Sequence, residues 1–556
     1  MGTNKKKNEG AFLIQGAILA SAGIITKIIG VIYRIPLINI MGDQGQAYYG
    51  IAFEIYSVAL LLTSYSLPLA VSKLVSARVS KGERKNAFRV FKAALIFALV
   101  AGTIVGLIVF FGSGFIADKI MAMEPSKYAL RVLAPCLLVV AIMGVIRGYF
   151  QGLGTMLPTA ISQILEQIVN AIVSVVGASY LFEFGKKAAE TKAKEYLPSA
   201  YGAAGGTLGT LTGAVAGLLF LAFVFFLYKK IIKRQLKRDK SRYRESYADI
   251  FPILLLTIMP VILSTAVYQS TKILDAGIFN NLMDIQGVAK KEYETLWGMY
   301  SGKFNTLVNV PLAIANAVGA SVIPSLTAAV TSGNRKLVYK KIQLATRFTM
   351  IISIPSMVGC IVLARPVLDL LFSTGDNRIP ALLLMTGSIT IVFYSLSTIT
   401  NAMLQGVNRM TIPIRNAAIS LVIHLVALFI MMVALKMNIF AVIGGTIVFS
   451  FSMCVLNQKA LYREIGYRQE WYKTCIIPLI ASVIMGVVAL ISQMILELLL
   501  PGKVATVITI CIAVAVYGVA LLLLGGLTED EILSMPKGHA LVKVLKKAHL
   551  LREGYY

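Results

Sequence analysis

Val71 to Lys85 reads VSKLVSARVSKGERK, and Val322 to Lys336 reads VIPSLTAAVTSGNRK. Both stretches end in a basic pair, Arg84-Lys85 and Arg335-Lys336. Two further echoes keep the same order. Phe150-Gln151-Gly152 with Pro158 downstream returns as Leu404-Gln405-Gly406 with Pro413 downstream. More weakly, Ile18 to Lys27 (ILASAGIITK) returns as Ile262 to Lys272 (ILSTAVYQSTK) with one residue inserted. A chain built from two copies of one helical unit places its working site between the copies, an arrangement typical of transporters.

The medium is set by composition. The chain is 57% hydrophobic and 14% charged, with mean hydropathy +0.77. Uncharged runs of about 18 residues or more read as transmembrane helices. The first run begins near Ala11, after Lys5-Lys6-Lys7. It is too long for a signal peptide and lacks a small-residue cleavage site, so it reads as a retained span. The five cysteines lie within or at the ends of apolar runs without metal-ligand spacing, and the three histidines leave little room for a metal centre or a triad.

Fourteen spans are expected, near 11–38, 46–70, 90–113, 129–151, 157–182, 202–228, 251–279, 295–328, 345–365, 379–406, 413–435, 438–458, 474–499 and 503–526. Alternate loops are basic: the N-terminus, Lys73 to Lys92, Lys229 to Arg244, Arg335 to Lys341, Lys459 to Lys473, and the tail from Lys537. An even count puts all of these on one face. The positive-inside rule then places both termini in the cytoplasm. The net charge of +27 is therefore an orientation signal and an attraction to anionic lipids, not a nucleic-acid surface.

An even number of spans separates the repeats, so they enter the membrane in the same sense, as parallel repeats. The expected organisation is an N-lobe over 1–228 (spans one to six), a basic cytoplasmic linker over 229–250, and a C-lobe over 251–460 (spans seven to twelve). Residues 461–556 supply the last two spans and a basic cytoplasmic tail.

A charge at mid-bilayer costs about 2.5–3.5 kcal/mol on insertion scales, so each needs a partner, water or a substrate. Span one carries Lys27 and Arg34 on one face, with Gly16, Gly23 and Gly30 near it. Span seven carries Thr265, Tyr268, Lys272 and Asp275 at spacings of three and four. Lys272 occupies the repeat position of Lys27, so each half offers an ammonium to an anion; the alternative is a private Lys272–Asp275 pair. Span two carries Glu54, and span eight carries Lys303. Span five presents Gln163, Glu166, Gln167, Asn170 and Ser174 on one face. Arg147 is the expected partner of Glu166, as an inner gate or a fixed bridge. Span eleven has Asn416, Ser420 and His424. Cations outnumber carboxylates here, and a hydrated cleft with that bias attracts phosphates.

The segments Leu67 to Lys85 (LPLAVSKLVSARVSKGERK) and Arg147 to Asn170 (RGYFQGLGTMLPTAISQILEQIVN), with the span pattern, resemble the multidrug/oligosaccharidyl-lipid/polysaccharide (MOP) exporter superfamily. The likeness covers nearly the whole chain and is nearest to the SpoVB/YtgP branch, related to MurJ-type flippases. It implies an all-α membrane protein of two six-helix lobes forming a V-shaped cavity, plus two C-terminal helices. It implies alternating access and export of an undecaprenyl-pyrophosphate-linked saccharide for cell-wall, spore-cortex or polysaccharide synthesis. It implies Lys27 as the cavity's basic residue on span one. The next cavity arginine of the family falls at Tyr33, with Arg34 adjacent, a departure. Some relatives bind sodium through span seven and span eleven; Asp275, Asn416 and Ser420 are the comparable positions.

The substrate-binding set is thus Lys27, Arg34, Glu54, Lys272, Asp275 and Lys303. Arg147, Glu166, Gln163 and Asn170 form the gate or cavity set. No cofactor or metal is expected; Na+ or H+ is the candidate coupling ion. The partners are a lipid-linked anionic saccharide and anionic membrane lipids, with cell-wall synthesis enzymes as candidate protein partners. No nucleotide motif is present, so the chain itself consumes no ATP. The rival readings are a drug/cation antiporter of the same fold, a membrane enzyme acting on lipid-linked sugars, and a scaffold for wall synthesis.

Overall fold

A computed structural model describes residues 2–239, 241, 243–527, 529 and 542. The side chains of 1–17, 20, 260, 261, 263, 264, 267, 268 and 324 lie outside the described set. So do the lysines expected in the tail from Lys537. Among the described residues all regular structure is helical.

The first helix, α1, runs Gly2–Thr63 and holds both of the first two expected spans. An α-helix that long covers roughly 90 Å, about three times a bilayer's hydrocarbon core. It is broken at Gly42, where φ is 70° and ψ is 179°. Only glycine occupies that region at low cost. There follow α2 (Leu67–Ser80), α3 (Arg84–Phe115), α4 (Ser126–Gly152), α5 (Leu157–Lys192), α6 (Leu197–Arg238), α7 (Tyr247–Ile285) and α8 (Lys290–Gly298). A π-helical segment, Met299–Phe304, leads into α9 (Asn305–Thr331). The chain continues as α10 (Arg335–Val362), α11 (Ala364–Leu371), α12 (Arg378–Gly387), α13 (Ile389–Gly406), α14 (Thr411–Val433), α15 (Ile439–Ile465), α16 (Ile477–Leu499) and α17 (Gly502–Leu523).

Eleven helices among the described residues are long and apolar enough to cross a membrane, or twelve if the bent pair α12–α13 is one span. The count is below the fourteen expected for physical reasons. Ser21–Ser80 forms one continuous apolar stretch through the bend, and α7 contributes only the shorter apolar piece Tyr247–Met259 among the described residues. Two expected loops are also helical: α5 continues to Lys192 and α6 to Arg238, so the basic linker begins as helix.

The sequence echoes reappear as matching turns. α2 ends at Ser80 and α9 at Thr331. Two residues on, Gly82 has φ 80° and Gly333 φ 69°. The next helices start with the same bond, Arg84 N–H to the Gly82 carbonyl (3.0 Å) and Arg335 N–H to the Gly333 carbonyl (3.1 Å). The FQG and LQG echoes each close a helix, α4 at Gly152 and α13 at Gly406, followed by a left-handed residue, Gly154 (φ 84°) or Asn408 (φ 62°). Proline then sits in the first turns of α5 and α14, where its missing N–H costs nothing.

The chain divides into two compact units, Met1–Gly302 and Lys303–Tyr556. In the first, α5 and α6 pack backbone to backbone; a Cβ on Gly205 would lie 2.2 Å from the Gly177 carbonyl oxygen. In the second, α9, α10, α13 and α15 bury a core that includes Leu326, Ile342, Met350, Ile399, Met403 and Leu461. α16 and α17 pack on each other and, through α16, on α10.

Candidate functional site: a charged cluster in the first unit

Three segments supply charge to one place in the first unit. Arg34 comes from the arm of α1 before the Gly42 bend and Glu54 from the arm after it. Lys272 and Asp275 come from α7. Lys272 is exposed and lies within electrostatic range of both Glu54 and Arg34; Glu54 also senses Asp275. Asp275 is 4% exposed. Arg34 and Glu54 are half-buried. The Arg34 Nε and the Glu54 Oε2 are enclosed without a hydrogen-bond partner among the described residues. Lys272 thus feels both Glu54 and Arg34, Glu54 feels Lys272 and Asp275, and one Glu54 oxygen is unsatisfied among the described residues, so the cluster holds binding capacity in reserve.

Lys27 stands apart. It is exposed, with Ile24 and Ile28 exposed beside it, and no charged partner reaches it among the described residues. The cation that Lys272 senses is Arg34. Tyr33, where the resemblance places an arginine, packs toward α5: its hydroxyl accepts from Asn170 Nδ2 at 3.4 Å. Lys303 belongs to the second unit, is fully buried, and its Nζ donates to the Thr374 carbonyl at 3.0 Å. The side chain of Tyr268 lies outside the described residues.

The polar face of α5 is divided between tasks. Arg147 on α4 binds Glu166 at 2.8 Å through Nη2, and its Nε donates to Ser162 Oγ at 3.0 Å. Ser174 Oγ donates to Asn170 Oδ1 (2.9 Å) and the Gly206 carbonyl (2.7 Å) on α6. A Cβ on Gly213 would lie 2.5 Å from the Glu166 carbonyl oxygen. Ser174 and the backbone at Glu166 and Asn170 therefore serve the α5–α6 contact. On the other edge, Gln167 Nε2 approaches Gly30 on α1, and Gln163 Oε1 is enclosed without a partner.

In the second unit Asn416 Nδ2 donates to Asn457 Oδ1 (2.9 Å), and Asn457 Nδ2 donates to Asn401 Oδ1 (2.7 Å) and Thr400 Oγ1 (3.2 Å). This buried amide chain ties α14, α15 and α13. Ser420, fully buried on α14, has no partner for its hydroxyl among the described residues. No group of three His, Cys, Asp or Glu suited to a metal occurs among the described residues.

Sequence reasoning missed two clusters. Glu294 on α8, 4% exposed, accepts from the Tyr48 hydroxyl at 2.6 Å and from Gln44 Nε2 at 2.8 Å. It falls just before the expected start of span eight, near 295; Gln44 and Tyr48, four residues apart on α1, are the available signal. On the basic side, Arg78 donates to Glu245 at 2.8 Å through Nε, and Asp239 accepts from the Lys85 N–H at 2.6 Å.

The family described as polysaccharide biosynthesis protein matches residues 13–330. The chain belongs to that family, within the MOP superfamily. Its members are transporters, not enzymes. It is 27% identical over 534 residues to "Lipid II flippase MurJ" of Bacillus subtilis (strain 168), covering 92% of this chain and 95% of that one. It is 23% identical over 530 residues to "Stage V sporulation protein B" of the same organism, covering 94% and 98%. Among solved structures it resembles "Lipid II flippase MurJ, inward closed conformation" with TM-score 0.64 at 17% identity, covering 91% of this chain and 98% of that one. It also resembles an inward-facing multidrug resistance MATE family transporter, with TM-score 0.63 at 16% identity, covering 79% and 94%. These two likenesses establish the fold of the transporter.

Proposed function

We propose that this transporter is a flippase that carries an undecaprenyl-pyrophosphate-linked saccharide from the inner to the outer leaflet by alternating access. The observation that carries the reading is the Arg34–Glu54–Lys272 cluster. Two cations beside two carboxylates, one of them with an unsatisfied oxygen among the described residues, make a site where a dianion displaces an internal counter-ion. The likeness along nearly the whole chain to a lipid II flippase supplies the substrate class. Lys27, exposed and without a charged partner among the described residues, is the first cation an incoming pyrophosphate meets. Arg147–Glu166 is the candidate inner gate. A membrane potential of 100 mV is worth about 2.3 kcal/mol per charge moved, enough to bias the cycle.

The topology follows from the same reading. The two arms of α1 count as two spans, α7 as one, and α12 with α13 as one, which restores fourteen. The basic ends then lie together, and both termini are cytoplasmic. The repeats form parallel lobes, with α16 and α17 as an appendage.

Glu54 and Asp275 favour a second reading, a cation antiporter, because carboxylates recognise cations. Reconstituted vesicles separate the two. The flippase moves a fluorescent polyprenyl-pyrophosphate saccharide between leaflets and ignores organic cations; transport of an organic cation alone would overturn it.

A further inference from the structure

Past the Gly42 bend, α1 runs against α8 and the π-helical segment Met299–Phe304 with almost no space between the backbones. A Cβ on Gly298 would lie 1.7 Å from the Asp43 carbonyl oxygen, and one on Gly302 would lie 2.4 Å from Gln46 Cγ. Gly50 faces Ser301, whose Oγ would be 3.1 Å from an added Cβ. Small residues at each crossing let the helices touch, and any larger residue would hold them apart.

The seam is tight but poorly satisfied. Gln46 is fully buried with neither amide atom bonded to protein among the described residues. The Trp297 Nε1 and Ser301 Oγ are likewise enclosed and unpartnered. An interface built to stay closed satisfies such groups, because a buried donor or acceptor left unbonded carries its full desolvation cost. An interface built to part regains that cost when water enters. What offsets it here is Glu294, whose Oε2 accepts from both Tyr48 and Gln44. Two donors converging on one carboxyl oxygen make that carboxyl the main polar tie across the seam. Shape thus allows closure, the bare amide and hydroxyl favour opening, and one carboxylate opposes it: the ingredients of a bistable contact.

We propose that the seam between α1 residues 43–50 and α8 with the π-helical segment that follows it is the outer gate of the transporter, and that Glu294 is the positioning residue that holds it shut through Tyr48 and Gln44. The inference rests on the alternating-access reading and on the topology that puts the Gly42 bend on the outer face.

A cysteine pair tests whether the seam opens. A Cβ built on Gly50 lies 3.3 Å from Ser301 Cβ, close to the roughly 3.5–4.5 Å of a disulfide. In vesicles of the full-length double variant G50C/S301C, oxidation is expected to reduce flipping to background and reductant to restore it. Outside labelling tests the latch. With Ser301→Cys alone, counted against the native cysteines, an impermeant thiol reagent added outside is expected to react about tenfold faster when Glu294→Ala is introduced. Glu294→Gln keeps an oxygen for the Tyr48 hydroxyl and is expected to stay within about twofold of the parent. Size-exclusion profiles identify any variant that does not fold; if Glu294→Ala is one, Tyr48→Phe, which removes the hydroxyl that donates to Glu294, carries the comparison and is expected to accelerate labelling severalfold. Flipping at the reduced rate by the oxidised pair, or no acceleration by Glu294→Ala, would overturn the proposal. Labelling needs no substrate. If labelling follows the pattern while the unmodified protein moves no lipid-linked saccharide, the substrate reading fails and the gate stands.

Discussion

Val75 covers Gly152 so closely that a Cβ on the glycine would lie 2.7 Å from the valine Cβ. Leu326 covers Gly406 in the same way, its Cδ2 3.0 Å from an added Cβ. Val75 and Leu326 hold the same place in the repeated VSKLV and VIPSL stretches. The glycines hold the same place in FQG and LQG. The repeat is thus a conserved packing event within the chain: α2 on α4, and α9 on α13.

Overpacking at these crossings is the first prediction. Gly152→Ala has backbone and a branched side chain around it and is expected to destabilise by about 1–3 kcal/mol. Gly114→Ala, with nothing within 4 Å, is expected to be neutral or slightly stabilising. Thermal unfolding in detergent, followed by fluorescence, compares the two; equal melting temperatures would remove the packing argument.

The bend in α1 gives a second. Gly42 has open space around it, so any effect of Gly42→Ala comes from its φ of 70° and ψ of 179° rather than from a clash. The expected cost is about 1–3 kcal/mol. The same melting experiment checks it, and an unchanged midpoint would mean the backbone relaxes without penalty.

These two glycines show how much was legible. Periodicity and apolar length gave the helices, and the echoes gave the register of the turns at Gly82 and Gly333. The bend at Gly42 was legible only as a gap between expected spans, because backbone sign is not a compositional property. Charge placement separated Glu54 and Lys272 from the loops, since an intramembrane charge is expensive wherever it sits. Which cation joins Lys272 was not legible. The repeat made Lys27 its counterpart by position, but side-chain company depends on helix rotation, and rotation brings Arg34. The polar face of α5 was seen as one stripe; the glycines of α6 take part of it, which a single-helix pattern cannot reveal.

The Arg147–Glu166 pair supplies a third prediction. With side chains 12% and 27% exposed, it is partly shielded from water. A double-mutant cycle of Arg147→Ala and Glu166→Ala in stability is expected to return a coupling of about 0.5–3 kcal/mol. If the pair gates transport, Glu166→Gln also changes the flipping rate. Coupling in stability with an unchanged rate would make it a fixed bridge.

Acid tests the basic face. Burial pushes the Asp239 carboxyl up, but the backbone N–H groups of Lys85 and Ser241 and the Ser241 side chain outweigh it, and the carboxyl lies below its ordinary value. A lowered folded-state value means the stabilisation is present above the unfolded value of about 3.9 and is lost as pH falls through the folded one. Protease cutting after α6 is therefore expected to accelerate below about pH 4 in the unmodified protein. Asp239→Asn is expected to show fast cutting already at pH 7. A flat profile for the variant and parent alike would exclude Asp239 as the anchor.

The central claim is that Arg34 and Lys272 hold a pyrophosphate which Glu54 otherwise occupies. The most direct measurement is the affinity and flipping rate of a polyprenyl-pyrophosphate saccharide in vesicles bearing Lys272→Ala, Arg34→Ala or Glu54→Gln. The account predicts binding weakened about tenfold or more by either cation deletion. It predicts tighter binding with Glu54→Gln, since the internal competitor has lost its charge. Weaker binding with Glu54→Gln, or undiminished flipping with Lys272→Ala, would contradict it.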